Sequence, residues 1–364
     1  MRRCRALGSI ALLSLAPLLP TCAAFPDDLR ADPPPVADAG AAADGRQGPP
    51  VTPVAATLVI EDTRPHRGLG VVANTVVWSS QEGPGWELRR CPFADCSAPA
   101  SIVSRACNDR QVLSGFLAVS GTDVYLTGDE CRGWLCRWDA LRPDTVSCGY
   151  GDPVYRLAGD ASGVFATAGD FGAVPIREAT LERIEIAGSV TRSSGRIETG
   201  PIAAGVGSPI ATGDTHVAWL VTEGASFSLA ACPRDLVGCT TPAAILPPRA
   251  GTPTALAAGA GRFFVAGLAG DVTELVRVRA TGGPADVMTT SKGPVLALAA
   301  SADWLYFVDP GAGAVARCPL EGACAPEIVG TVKGSVRFLA VTARDDRLFL
   351  LADDGLYSVV LPGR

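Results

Sequence analysis

Apolar residues recur along the chain in a repeating pattern of short β-type runs. In each repeat, a Leu or Ile followed by Ala or Gly is succeeded by an apolar, mostly aromatic residue in a β-rich run. The two are eight residues apart in every repeat except the last, where they are ten apart. The seven pairs are Leu69-Gly70 with Val77, Leu117-Ala118 with Tyr125, Leu157-Ala158 with Phe165, Ile210-Ala211 with Ala218, Leu256-Ala257 with Phe264, Leu298-Ala299 with Tyr306, and Leu339-Ala340 with Phe349.

Successive repeats are 40 to 53 residues apart, a period that matches the roughly 40 to 50 residues of a propeller blade. Each repeat supplies four short strands. The strand with the Leu-Ala pair should be innermost, because only small residues fit where seven strands converge on one axis. A single blade cannot bury both of its faces, so the repeats must share one closed core. We therefore predict an all-β fold, a seven-bladed β-propeller with four-stranded blades.

The two ends of this predicted ring complement each other. The last repeat contains the runs Phe338–Val341, Leu348–Leu351 and Leu356–Leu361, but it lacks a fourth strand. Thr57–Glu61 is a β-rich run that precedes the first repeat and belongs to none. Pairing this run with residues 356–361 would hide an open sheet edge, so we predict that an N-terminal strand closes the ring.

The sixth repeat carries a resemblance to a known family. Tyr306-Phe307-Val308-Asp309, followed by Val315-Ala316-Arg317 and Leu320-Glu321-Gly322, resembles the Tyr-Trp-Thr-Asp repeat of extracellular β-propellers. The Cys-Pro insertions of the chain resemble those of exported bacterial propeller proteins with no assigned activity. The resemblance covers residues 57–364 and implies a propeller of the binding type, with no ligand or site residue implied. Receptor propellers of that family have six blades, whereas this chain has seven repeats.

The N-terminal residues have the features of an export signal. Arg2, Arg3 and Arg5 precede the apolar run of residues 6–19, which predicts a signal peptide over residues 1–21. Leu19-Pro20-Thr21-Cys22 resembles a bacterial lipobox, which implies lipid attachment at Cys22. The alternative is cleavage nearby and plain secretion, because small residues usually stand in place of Pro20 and Thr21. The protein would be an outer-envelope lipoprotein or secreted.

The next segment, residues 22–56, is rich in Pro and Ala and has no period of two or 3.6. Segments of this composition stay extended, so we interpret it as a tether for a folded head. The alternative is a disordered tail without an anchor. The β-propeller domain then covers residues 57–364.

Ten cysteines follow Cys22, and most of them form close pairs. Three pairs begin with Cys-Pro at the turn between the third and fourth strands of a repeat. Cys136 occupies the corresponding place in the second repeat, so we pair it with Cys148 and leave Cys131 for Cys107. An exported chain with an even set of cysteines is expected to oxidise them. The five predicted disulfides are Cys91–Cys96, Cys107–Cys131, Cys136–Cys148, Cys232–Cys239 and Cys318–Cys324.

Charge and motifs restrict the chemistry further. The net charge is −6, and loss of residues 1–21 leaves 28 basic and 37 acidic side chains, a net charge of −9. An acidic chain without a Lys/Arg run argues against nucleic-acid binding and against membrane contact other than through a lipid anchor. No local hydrolase, nucleotide or EF-hand motif occurs, and the cysteine spacings do not fit a zinc site. We predict no catalytic residue, no cofactor and no metal site.

Four weaker candidates are interpreted as structural. His66 and His216 lack an identifiable partner, which a catalytic base requires, so both are predicted to be ordinary surface residues. Asp345-Asp346 and Asp353-Asp354 could be carboxylate pairs for acid–base catalysis, but their position next to strands predicts turns.

The leading functional hypothesis is a monomeric, non-catalytic envelope or secreted propeller that binds a protein, peptide or glycan through one face. The first alternative is an enzyme, such as a lyase, hydrolase or quinone-dependent oxidoreductase, with its site at the mouth of the central channel. Polar side chains clustered at one channel mouth would favour the enzyme, and a channel of Ala, Gly, Leu and Val alone would argue against it. The second alternative is a structural subunit of an outer-envelope assembly, marked by a large exposed apolar patch.

Overall fold

The computed structural model describes residues 52–82, 85–94, 96, 99–102, 113–128, 135–139, 146–149, 154–160, 163–169, 179–187, 190–199, 209–342 and 346–362. Cys22, Cys107, Cys131 and Asp345 lie outside these residues. In the part of the chain that is described, all regular secondary structure is β-strand. Among these residues, no helix has the length and apolar character needed to span a membrane. The strands form seven sheets, which are the blades of a β-propeller.

The N-terminal strands are β1 (Val54–Ala55) and β2 (Thr57–Glu61). Blade 1 contains β3 (His66–Val72), β4 (Thr75–Glu82), β5 (Gly85–Pro92) and β6 (Ala100–Ile102). Blade 2 contains β7 (Leu113–Ser120), β8 (Asp123–Gly128), β9 (Leu135–Asp139) and β10 (Val146–Gly149). Blade 3 contains β11 (Val154–Asp160), β12 (Gly163–Gly169), β13 (Ala179–Ala187) and β14 (Val190–Glu198).

Blade 4 contains β15 (Ile210–Thr212), β16 (His216–Glu223), β17 (Ser226–Pro233) and β18 (Ala243–Ala250). Blade 5 contains β19 (Thr252–Gly259), β20 (Arg262–Ala269), β21 (Val272–Arg279) and β22 (Asp286–Lys292). Blade 6 contains β23 (Leu298–Ala300), β24 (Trp304–Asp309), β25 (Ala314–Pro319) and β26 (Glu327–Thr331). Blade 7 contains β27 (Val336–Val341), β28 (Arg347–Ala352) and β29 (Gly355–Val360).

The repeat seen in the sequence is a cross-strand pair in every blade. The Ala or Gly that follows the Leu or Ile lies directly opposite the anchor of the second strand, as in Ala257 with Phe264. The same register joins the last pair, Ala340 and Phe349, across its longer turn. A small residue on the crowded inner strand thus leaves room for a large buried neighbour. The members of all seven pairs predicted from the sequence are directly opposite each other in the strand registers of their blades.

The seven inner strands, β3, β7, β11, β15, β19, β23 and β27, each contact the next around a closed ring. The first two approach so closely that a Cβ on Gly68 would lie 2.5 Å from Cβ of Leu117. A Cβ on Gly70 would lie 2.5 Å from Cγ2 of Val119, so glycine is required at both positions. These two contacts also show that β3 and β7 run in parallel. We name the face at which the inner strands begin the upper face, and the opposite one the lower face.

The N-terminal strands close the ring as predicted. β2 pairs antiparallel with β29 and is the fourth strand of blade 7. β1 adds an unpredicted contact, because it pairs parallel with β26 on the outer edge of blade 6. Val59 and Ile60 of β2 pack on the apolar cluster that contains Trp78 of blade 1. One short segment thereby joins blades 6, 7 and 1.

Three of the predicted disulfides, Cys91–Cys96, Cys232–Cys239 and Cys318–Cys324, are formed. Cys136 is also disulfide-bonded, and the register of β9 and β10 places Cys148 opposite it. The Cys136–Cys148 and Cys107–Cys131 pairs remain predictions.

The loops closed by the three disulfides lie at the lower face, because each third strand ends beside the start of the second. Each loop contacts the preceding blade. In blade 1, the ring of Phe93 lies 5.0 Å from the ring of Phe349. In blade 4, Arg234 pairs with Asp160. In blade 6, the carbonyl of Leu320 accepts a hydrogen bond from Arg277 at 2.9 Å. The disulfide loops therefore fasten neighbouring blades together at the lower face.

Candidate functional site

The axis of the propeller contains a cavity of about 310 Å³, lined by residues of all seven inner strands. This volume is at the lower end of the range of roughly 300 to 1,000 Å³ for small-molecule sites. Most lining residues are Ala, Gly, Leu and Val, as the sequence predicts for a narrow channel. The polar exceptions are Arg67, Arg156, Thr212 and Arg337. No Asp or Glu is present among the described residues of this lining.

The three arginines share one end of the cavity. Arg67 and Arg337 each stand two residues before the Leu of their repeats, and Arg156 stands one residue before Leu157. These positions are at the start of their inner strands, at the upper face. Blades 7, 1 and 3 thus each contribute one guanidinium group. We name this opening, with Arg67, Arg156 and Arg337, the arginine mouth.

Two of the three arginines are extra residues in irregular strand pairings. In β3, the register against β4 shifts between His66 and Gly68, which leaves Arg67 as the extra residue. In β27, the corresponding shift leaves Arg337 as the extra residue. In β11, the shift between Val154 and Arg156 leaves Tyr155 as the extra residue, and Arg156 itself pairs with Thr167. A β-bulge turns a side chain away from the ordinary alternation, and both bulge arginines, Arg67 and Arg337, line the cavity.

The three arginines differ in exposure. Arg156 is only 8% exposed although it lines the cavity. Arg67 is half-buried. Arg337 is exposed, and its Nε donates a hydrogen bond to Oδ1 of Asp353 at 2.7 Å. An exposed ion pair of this kind contributes little free energy, so it restrains the guanidinium group only weakly.

A buried carboxylate lies in the segment that leads into β3, the strand that carries Arg67. Asp62, which follows β2, is 4% exposed. Its oxygens accept hydrogen bonds from Arg64 Nε at 2.7 Å, Ser80 Oγ at 3.0 Å, Trp78 Nε1 at 3.2 Å and Arg89 Nη1 at 3.2 Å. Several charge-assisted donors on one acceptor make a rigid network. The residues that lead into β3 are therefore held firmly.

His66 joins this network and differs from its prediction. Its Nε2 atom lies 3.5 Å from Oδ2 of Asp62, and its side chain is 4% exposed rather than on the surface. Burial alone would raise the pKa of Asp62, but the adjacent His66 ring and the hydrogen bonds from Arg64 and Trp78 outweigh it and hold that pKa well below its usual range. His66 is thus fixed towards Asp62, while the next residue, Arg67, lines the channel.

The other candidates from the sequence are structural. His216 begins β16, beside the β15–β16 turn, and contacts the Thr215 hydroxyl at 2.8 Å. Asp346 accepts a hydrogen bond from Thr342 at 2.6 Å. Asp354 accepts one from the Tyr357 hydroxyl at 2.7 Å, which raises the pKa of Tyr357 to about 12. Asp346, Asp353 and Asp354 lie in a bend or turn beside strands, His216 is the first residue of a strand, and none of them lines the cavity.

Sequence reasoning missed the arginine mouth. The signal was present, because Arg67, Arg156 and Arg337 fall within two residues of the Leu that marks an inner strand. Aligning the repeats on that Leu would have placed all three at the same end of the channel. Arg67 and Arg337 are in addition bulge residues, and the sequence gives no signal for those bulges.

Comparison with known proteins agrees with the fold. No protein-family model matches the sequence, and no curated protein is similar to it at a significant level. Virginiamycin B lyase from Staphylococcus aureus is a structural neighbour, with a TM-score of 0.59 and 13% identity over 84% of this chain and 97% of the lyase. The PQQ-bound aldose sugar dehydrogenase from Streptomyces coelicolor has a TM-score of 0.45 and 16% identity, over 68% of this chain and 93% of that one. At such low identity, the likeness concerns the fold alone.

Proposed function

We propose that the protein is an exported ligand-binding propeller that holds an end of a peptide or glycan at the arginine mouth. The observation that carries this proposal is that arginines of three blades line one end of the axial cavity. Function on repeat scaffolds resides in side chains presented by a rigid frame. The disulfide loops occupy the lower face, and the charged residues of the cavity lining lie at the upper face.

A bulky substitution that fills the arginine mouth tests this proposal. Leu296 lines the cavity two residues before Leu298, at the position that Arg67 and Arg337 occupy in their blades. Leu296→Trp would fill the mouth without changing its charge. In a screen of immobilised peptides and oligosaccharides, we expect this variant to bind hits at least about ten-fold more weakly than the unchanged protein, a loss of about 1.4 kcal/mol.

Val237→Trp is the matched control. Val237 is 73% exposed and lies in the Cys232–Cys239 loop at the lower face. This variant adds the same bulk away from the mouth and should bind as the unchanged protein does. Equal binding by Leu296→Trp and Val237→Trp would contradict a site at the mouth.

Catalysis at the same mouth is a second candidate, and the three arginines are the kind of polar cluster at a channel mouth that we expected to favour an enzyme. Guanidinium groups stabilise oxyanions that develop during lyase and hydrolase reactions. Virginiamycin B lyase, a propeller of similar architecture, is an enzyme by name, and this supports the candidate only at the level of analogy. Incubating each hit of the screen with the protein and analysing it by mass spectrometry separates the two candidates, because only an enzyme converts it.

We also propose that Cys22 anchors the propeller to the outer envelope through lipid. The disulfides support an oxidising, exported environment. Lipid on Cys22 would hold the chain in the membrane fraction of the cell, and Cys22→Ser would release it. Cys4→Ser, within the signal peptide, is the control and should leave the distribution unchanged. A Cys22→Ser protein that stays with the membranes would support an anchor other than lipid.

A further inference from the structure

We propose that the arginine mouth is an oxyanion site, and that the ligand presents a carboxylate or phosphate group to Arg67, Arg156 and Arg337. This inference rests on the proposed function and specifies the chemical class of its ligand. A guanidinium group offers planar, paired donors that match the oxygens of carboxylates and phosphates. Three such groups from different blades define a place for one anion rather than for a neutral group.

The first support is the contrast in charge. The whole chain has a net charge of −6, whereas the described lining of the cavity has three arginines and no carboxylate. Narrow openings with low-dielectric walls focus the field of the charges that line them. An approaching anion is therefore attracted to the upper opening although the molecule as a whole repels it.

The second support is the burial of Arg156. Arg156 is 8% exposed and still lines the cavity, so a bound oxyanion would contact a group already largely desolvated. Its interaction with that anion would be stronger than on an open surface.

The third support is that Arg337 can exchange its partner and that the backbone at Arg67 is held in place. The ion pair between Arg337 and Asp353 joins side chains that are 57% and 54% exposed. A pair so exposed costs little to rearrange. Arg67 is held at its bulge by the fixed neighbour His66, so its backbone is prepared for binding before the ligand arrives.

Binding of small probes tests the inference by isothermal titration calorimetry at constant ionic strength. D-galacturonate and D-galactose form a matched pair, since they differ at C6, a carboxylate in one and a hydroxymethyl group in the other. Inorganic phosphate supplies the oxyanion without a sugar. We expect galacturonate or phosphate to bind and galactose to bind at least about ten-fold more weakly, or not measurably. Tighter binding of galacturonate would indicate an organic acid as the ligand, and tighter binding of phosphate a phosphorylated one.

Arginine variants establish where the anion binds. Arg67→Gln and Arg337→Gln, singly and together, remove charge at partly exposed positions, and the double variant should weaken oxyanion binding by at least about ten-fold. Arg156→Gln should do the same, with folding checked by circular dichroism because the side chain is buried. Arg249→Gln is the control, since Arg249 lies on β18, the outer strand of blade 4, and pairs with Glu274. It should leave binding unchanged.

The outcomes separate this inference from the proposed function. If neither oxyanion binds, if galactose binds as tightly, or if the Arg67/Arg337 double variant retains full binding, the oxyanion site is refuted. Screen hits that Leu296→Trp still blocks would then keep a neutral-ligand mouth as the proposed function. Oxyanion binding that depends on the arginines, without any peptide or glycan hit in the screen, would support the oxyanion site. It would refute the proposal that the ligand is a peptide or glycan.

Discussion

At Asp62, side chains from the closing segment and from blade 1 converge on one carboxylate. Arg64 and Arg89 bring positive charge, while Trp78 and Ser80 donate neutral hydrogen bonds. Glu87 lies 3.2 Å from Arg64 and 3.6 Å from Arg89, so the two positive groups are shared by two acids. The network joins the residues after β2 to three strands of blade 1, and it therefore stabilises the ring at its point of closure.

Replacing Asp62 by Asn should destabilise the protein by about 3 kcal/mol at neutral pH, because the variant leaves partly buried guanidinium groups beside a neutral amide. Urea unfolding followed by tryptophan fluorescence measures the difference. Asp214→Asn is the control, since Asp214 is exposed in the β15–β16 turn and should change stability by less than about 0.5 kcal/mol. Equal stability of both variants would show that the network contributes nothing.

The pKa of Asp62 gives this effect a defined pH dependence. The folded protein holds the pKa of Asp62 below that of an unfolded Asp, which is about 3.9. The carboxylate therefore stabilises the fold fully above that value, and the contribution decreases as the pH falls towards the folded pKa. The stability difference between the unchanged protein and Asp62→Asn should be constant above about pH 5 and narrow below about pH 4. A difference that widens in acid would contradict this assignment.

The strands show why most of the fold could be predicted. A propeller needs a small residue on each inner strand and an apolar anchor opposite it. Because this physical constraint repeats with every blade, it produces a periodic pattern in the sequence. The sequence analysis missed a second periodic feature. The third-strand residue that lies opposite the anchor is often arginine. The instances, five of the seven blades, are Arg90, Arg137, Arg183, Arg277 and Arg317.

Two of these arginines contact the next blade. The guanidinium group of Arg90 lies 5.4 Å from the ring centre of Trp138. Arg277 donates to the carbonyls of Leu320 and Gly322, within the Cys318–Cys324 loop. Arg317 instead stays within its own blade, 3.9 Å from the ring centre of Trp304. The arginine of the motif Val315-Ala316-Arg317 is therefore a packing residue of the blade, distinct from the arginines of the mouth.

Bulges and short parallel pairings escaped prediction for a physical reason. A bulge at Arg67 or Arg337 changes the direction of one side chain without changing the composition of the strand. The parallel pairing of Val54 and Ala55 with β26 depends on a strand about 275 residues away, and two residues carry no period. The sequence therefore specifies the ring, while the candidate site depends on local departures from the regular strand.

At the level of the complete ring, closure depends on a segment that contributes few residues. Without β1 and β2, the edge of β29 would lose its partner, and the cluster around Trp78 would lose Val59 and Ile60. Open, apolar sheet edges pair with other molecules, so the loss should cause both instability and aggregation. Because each blade contacts only its neighbours, opening one joint weakens the closed array as a whole.

A series of N-terminal truncations tests this dependence. A protein beginning at residue 51 should unfold as the full chain does, since β1 and β2 are retained. Removal through residue 55 eliminates the two-residue pairing with β26, in which Val54 is 49% exposed, and should cost less than about 1 kcal/mol. Removal through residue 61 also eliminates β2, and should cost at least about 3 kcal/mol from the two lost apolar side chains and produce aggregates in light scattering. A soluble, equally stable protein lacking β2 would mean that blade 7 is complete with three strands and that the N-terminal strand does not hold the ring closed.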